Sequence, residues 1–160
     1  MSQISFFKSL PEKGQAHKPT KSITIDELFE AIKKGRWKAA QDRVRAAKSK
    51  DEQSREKKKV PAVTISGAFS PSRKEDNLIA HSGFIALDFD HITEMDHLKK
   101  DPYTYAYFSS ISGQGRVVVV KIDGSKHKDS FRWLQNYYFE KYGLTLDPAP
   151  SNVASLRFVC

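Results

Sequence analysis

An α+β fold, with an antiparallel or mixed sheet and packed helices, is predicted by three observations. Short apolar, β-rich runs alternate with segments whose apolar residues recur at helical spacing. Two of those runs, residues 103–109 and 117–122, are joined by the Gly-containing link Ser110-Ile111-Ser112-Gly113-Gln114-Gly115 and read as a hairpin. Finally, helices and strands are interleaved along 160 residues, enough for one domain with a core of its own.

Taken in order, Ile4, Phe6 and Phe7 predict a short strand, and Pro11, Gly14 and Pro19 then interrupt regular structure. Thr24 followed by Glu27 has the spacing of a capping box, and Ile25, Leu28, Phe29 and Ile32 form the apolar stripe of the helix it starts. Gly35 closes it. A second helix is expected from about Trp37, with Trp37, Ala40, Val44 and Ala47 on one face. Its continuation, residues 48–59, has almost no apolar side chains and fits either an exposed helix or a mobile loop. After Pro61, residues 62–65 predict a strand, Ser66-Gly67 a turn and residues 71–77 a polar loop. Residues 84–89 form a buried strand, and a short helix is expected near residues 94–100. Residues 127–142 predict a strong helix through Phe131, Leu134, Tyr138 and Tyr142, with Gly143 as its cap. Residues 156–160 begin another strand, so residues 22–160 are expected to be a domain continuing beyond Cys160, preceded by a strand and loop segment over residues 1–21.

The chain carries a net charge of +8. Residues 33–59 hold twelve Lys/Arg against four Asp/Glu, so this one segment matches the whole imbalance. Such a stretch is either a solvated helix or a footprint for polyanions, with Lys57, Lys58 and Lys59 as its densest cluster. The lone cysteine, Cys160, excludes a disulfide framework and a zinc cluster. No signal pattern or membrane-length apolar run is present, which places the protein in the cytoplasm with no membrane partner. No Walker-type phosphate loop occurs, which argues against an ATPase.

The sharpest feature is Phe84-Ile85-Ala86-Leu87-Asp88-Phe89-Asp90. Side chains alternate across a strand, so Asp88 and Asp90 share one face and are placed to hold Mg²⁺ or Mn²⁺. As a lone pair they also fit a polar turn. The nearby Ser112-Gly113-Gln114-Gly115-Arg116 offers backbone N–H groups and a cation to a phosphate. His81 lies close before the acidic strand and is a candidate to line the same site. Asp147 is either a third carboxylate or a turn residue before Pro148.

The order Ser66-Gly67-x-Phe69, His81-Ser82-Gly83, Leu87-Asp88-Phe89-Asp90 and Ser112-Gly113-x-Gly115 resembles the VirE N-terminal domain, a divergent relative of the archaeo-eukaryotic primases. The resemblance implies a primase-polymerase-like fold with an RRM-like core. It also implies metal-dependent nucleotidyl transfer in the replication of a mobile element. Asp88, Asp90 and Asp147 would be its acids, while Ser112, Gly113, Gly115, Arg116 and His81 would meet a nucleoside triphosphate. Single-stranded DNA or RNA would lie on Lys57, Lys58 and Lys59, ahead of a helicase or ATPase region. Val117 and Ser155 depart from that pattern, each standing where a basic residue is expected. A catalytically weakened nucleic-acid-binding module is therefore the second expectation.

Overall fold

The computed structural model describes residues 2–92 and 96–160. It is an α+β domain whose strands pair antiparallel in three sheets. The chain opens with β1 (Gln3–Phe7) and β2 (Lys21–Thr24), followed by α1 (Ile25–Lys33), α2 (Lys38–Ala46) and α3 (Lys50–Lys58). Next come β3 (Ala62–Thr64), β4 (Gly67–Phe69), β5 (Leu78–His81) and β6 (Phe84–Phe89). The remaining elements are α4 (Asp96–Lys99), β7 (Ala106–Ser109), β8 (Arg116–Lys121), α5 (His127–Tyr142) and β9 (Arg157–Phe158). Of the short helix expected near residues 94–100, Glu94 and Met95 lie outside the described residues, and Asp96–Lys99 is helical.

The first sheet has the order β2-β1-β3-β9, so the first strand of the chain sits inside it rather than at its edge. Ile4 and Phe7 of β1 are fully buried. The Ser5 hydroxyl accepts the Phe69 N–H at 2.8 Å, tying this sheet to the β4–β5 hairpin. The third sheet has the order β6-β8-β7. Alternation along β6 and β8 divides the interior in two. Phe84, Ala86, Val117 and Val119 face the first sheet, α1 and Val44 of α2. Ile85, Leu87, Phe89, Val118 and Val120 face Phe131, Leu134 and Tyr138 of α5.

Helix ends follow the sequence signals. The Thr24 hydroxyl accepts the Glu27 N–H at 3.1 Å, and the Glu27 carboxylate accepts the Thr24 N–H at 2.7 Å, completing the capping box. Ser49 starts α3 in a similar way, its hydroxyl accepting the Glu52 N–H. That local cap explains why residues 50–58 are helical although α3 buries no residue. Gly143 ends α5 in the left-handed conformation.

One buried charge fastens α5 to the segment before β7. Asp101 is 5% exposed, and its carboxylate accepts from Tyr142 Oη at 2.5 Å, Tyr137 Oη at 2.8 Å and Lys141 Nζ at 3.3 Å. It also accepts the Tyr103 N–H at 3.0 Å. Burial pushes this carboxyl upward, but the donors, Tyr142 foremost, outweigh it and hold it below the ordinary aspartate value. Its stabilisation is therefore present above that value and lost as the pH falls below it. Asp101→Asn should lower stability by about 2–4 kcal/mol, because a buried donor cluster loses its anion. Thermal melting followed by circular dichroism checks this; an unchanged Tm would mean that the network contributes nothing.

Candidate nucleic-acid interface

The acidic strand end and the Ser/Gly turn are brought together as the sequence predicts. The β6–β8 register pairs Asp88 with Val117 and Phe89 with Arg116, which sets the turn beside the two aspartates. Gly115 must be glycine here: a Cβ would lie 2.9 Å from the Phe89 carbonyl oxygen. Gly113, at φ +78°, makes the left-handed bend of the turn.

What the site does chemically differs from the expectation. Alternation turns Asp88 toward the first sheet, the same side as Phe84 and Ala86. There its carboxylate is ion-paired with the Arg157 guanidinium of β9, both side chains being largely buried. Asp90 is exposed. The Asp147 N–H donates to the Asp88 carbonyl at 3.3 Å, so Asp147 does lie beside the strand. Its carboxylate, however, accepts the Ala149 N–H at 2.9 Å and shapes the turn that its sequence also suggested. Among the described residues, no group of three or more His, Cys, Asp and Glu is placed to hold a metal ion. The Mg²⁺ or Mn²⁺ site expected on Asp88 and Asp90, with Asp147 as a candidate third acid, gains no such group, and Asp88 is paired with Arg157 instead.

The turn also directs its donors to itself. The Gly113 N–H goes to the Ser110 carbonyl at 2.9 Å, and the Gly115 N–H to Ser110 Oγ at 3.1 Å. Ser112 Oγ is 3.3 Å from Ser110 Oγ and accepts the Gln114 N–H at 3.4 Å. Arg116 donates to the Gly115 and Gly113 carbonyls at 2.9 and 3.4 Å. Arg45 of α2 closes the turn from above, with Nη2 3.2 Å from the Ser110 carbonyl. Cys160 Sγ donates to the Ser109 carbonyl at 3.0 Å, and burial pushes its thiol up to about 11. Arg45, Arg157 and Cys160 are the residues that sequence reading missed. Their partners lie tens of positions away, and no local spacing announces them.

His81 is at the other end of β6 from Asp88, beyond Phe84, so it does not join the turn. It forms a relay whose tautomers are fixed by its ends. The Gly83 N–H donates to His81 Nδ1 at 2.9 Å. The Pro150 carbonyl, which only accepts, lies 2.8 Å from His127 Nε2, so that nitrogen carries a proton. His81 Nε2–H must then donate to His127 Nδ1 across 2.9 Å. Both rings are neutral in this arrangement. Burial, then the neighbouring His127, lowers His81 to about 4, against a smaller opposing effect of Asp123. Burial also lowers His127, with the Pro150 carbonyl and Glu75 opposing and Lys128 adding to it.

The basic segment forms a surface. Of the twelve Lys/Arg between residues 33 and 59, all are exposed except Lys57, which is half-buried. Lys57 and Lys58 end α3, and Lys59 follows them with Nζ 2.9 Å from the Glu56 carboxylate. Beside this face is a groove of about 500 Å³ lined by Phe6, Trp37, Lys21, Lys34 and Arg36, along with Glu27 and Glu30. Phe6 and Trp37 stack at 6.5 Å, and Arg36 lies 5.8 Å over the indole.

The domain is thus an α+β unit with a basic helical face and a self-satisfied acidic turn. Residues 55–155 match the family described as BT4734-like, N-terminal domain. The chain belongs to that family. No curated protein and no solved structure matches it. The resemblance to the VirE N-terminal domain and the primases is overturned by this finding, and the primase, nucleotidyltransferase and metal-binding expectations it carried go with it. The motifs behind it have structural work here. Ser82 Oγ donates to the Ile65 carbonyl at 2.6 Å and accepts the Phe84 N–H at 3.1 Å. Ser and Gly are common turn residues for local backbone reasons, so short Ser/Gly signatures of this kind are weak markers of a family.

Three outcomes are expected. Arg157→Ala and Asp88→Asn should each cost about 1.5–3 kcal/mol, the worth of a hydrogen bond to a charged group. Asp90→Asn should cost much less, and equal losses at Asp88 and Asp90 in denaturant melts would refute the assignment. Mn²⁺ should leave the melting temperature of the parent unchanged, since Arg157 already neutralises Asp88. For the histidine relay, both folded values lie below the unfolded one, so stability is full above about pH 6.5. It should fall as the pH drops from there toward 4. His81→Asn, which keeps an acceptor for Gly83, should flatten that decline; identical pH profiles would remove the relay from the account.

Proposed function

We propose that this domain is a nucleic-acid-binding module that engages the phosphates of a single strand through the basic face of α2 and α3. The observation that carries the reading is the concentration of the chain's whole net positive charge in one exposed segment. Cations so placed release counterions from a polyanion when it binds. The Phe6–Trp37 groove beside them supports a single strand over a duplex, because unpaired bases can stack on aromatic rings. Arg45 joins this face to the Ser110–Gly115 turn, which supports a rigid surface rather than a loose basic tail. In this reading Asp88 and Arg157 hold the turn and β9 in place, and the domain presents a ligand rather than transforming it. A cytoplasmic setting belongs to the same reading and is consistent with the single, half-buried cysteine.

The test is the salt dependence of binding to a fluorescently labelled oligothymidylate. Affinity should fall steeply with salt. Replacing Lys57, Lys58 and Lys59 together with alanine should weaken binding to all sequences alike. It should also flatten the slope of log K against log salt by roughly 0.7 for each phosphate that is no longer neutralised. Lys59 is already paired with Glu56, so its share should be smaller than that of Lys58. A triple variant that binds as tightly as the parent at low salt would reduce the face to solvated surface.

A further inference from the structure

Four acids stand among the twelve Lys/Arg of residues 33–59. Asp42 pairs with Lys38 within α2, at 2.7 Å. Glu52 accepts the Lys48 N–H at 2.8 Å, beside the Ser49 cap of α3. Asp51 is exposed in the first turn of the same helix. Glu56 differs from these three, because it gathers cations from two parts of the face. Its carboxylate lies 2.9 Å from Lys59 Nζ, just past the end of α3, and 3.9 Å from Arg43 Nε of α2. We infer that Glu56 holds the place of a strand phosphate in the free protein, and that a bound single strand displaces it from Arg43 and Lys59. The inference rests on the nucleic-acid reading above and adds to it a carboxylate that competes with the ligand.

The arrangement has the form of an anion site. An ammonium at the end of α3 and a guanidinium of α2 converge on one pair of oxygens, as such groups do on phosphate. The acid is the least exposed of the three. Its side chain is 20% exposed, against 58% for Arg43 and 66% for Lys59. A phosphate arriving from solvent therefore meets both cations. The hydrogen bond from Lys59 lowers the Glu56 carboxyl below its ordinary value. Desolvation opposes this, and the charges of Lys59, Arg43 and Arg55 add to it. One negative charge thus answers several positive ones, and the locus keeps a positive excess.

Displacement costs little. Ion pairs between exposed side chains are weak, because water and salt screen them and two long side chains must be held in one geometry. A strand supplies the replacement anion at high local concentration once its neighbouring phosphates lie on Lys57 and Lys58, which adjoin Lys59. Glu56 therefore lowers the affinity of the face without closing it. Lys59 and Arg43 contribute less to binding while the carboxylate is present and more once it is gone.

The test is a double-mutant cycle on the intact chain, with labelled oligothymidylate at low salt. Glu56→Gln should tighten binding by about two- to fivefold, the worth of an exposed ion pair. Asp51→Asn makes the same change of charge on the same helix and serves as the control, with a smaller gain expected. When Arg43 and Lys59 are both alanine, the Glu56→Gln gain should shrink to that of the control, whose own gain should persist. No gain from Glu56→Gln, or a gain that never exceeds the control, or one that survives the loss of Arg43 and Lys59 undiminished, would overturn the inference and leave the basic face standing. A parent that shows no salt-dependent binding would overturn both. Circular dichroism guards against unfolding of α3 in Glu56→Gln. If that variant unfolds, the carboxyl ¹³C signal of Glu56 in the parent decides the matter. Its titration should move to higher pH in the complex, as the carboxylate loses the Lys59 hydrogen bond, and an unmoved titration at saturation would overturn the inference.

Discussion

The fold is organised by a strand that has no solvent side. β6 is buried along both faces, with Ile85, Leu87 and Phe89 given to α5 and Phe84 and Ala86 to the first sheet. A strand with period two leaves its next residue no choice of side. Asp88 must point inward, toward the first sheet, and a carboxylate there needs a cation or a proton. Arg157 supplies the cation from β9. β9 is only two residues long and pairs with β3 through Ala62 and Val63. Its position is thus set by the charge it brings as much as by its ladder. Removing either partner strands the other, which is a stronger constraint than the attraction of the pair itself.

The same constraint propagates to the turn. Because Asp88 pairs with Val117, the link before Arg116 must pass over the end of β6. It passes so close that only Gly115 fits against the Phe89 carbonyl. A link this tight has to satisfy its own polar groups, and Ser110 and Ser112 do so. The features that look like a phosphate cradle in one dimension are the consequence of a short crossing in three. The exposed cations that carry the nucleic-acid reading lie within residues 33–59, and that reading therefore rests on this segment rather than on the turn.

Much of the fold was legible because its signals are local. The capping box at Thr24, the apolar stripe of α5 with Gly143 after it, and the β-branched run of β8 depend on neighbours within a turn or a strand. β2 and the β4–β5 hairpin were not legible as strands. β2 follows a breaker-rich loop, and β5 leaves Ile79, at 66%, and Ala80 exposed, so its pattern lacks an apolar face. The candidate site was half legible. Asp88, Asp90, the turn and Asp147 do meet, as the strand order required. Their chemistry was misread because Arg157 and Arg45 reach them from distant parts of the chain. His81 was misplaced for a simpler reason: nearness in sequence to Asp88 is distance along a strand.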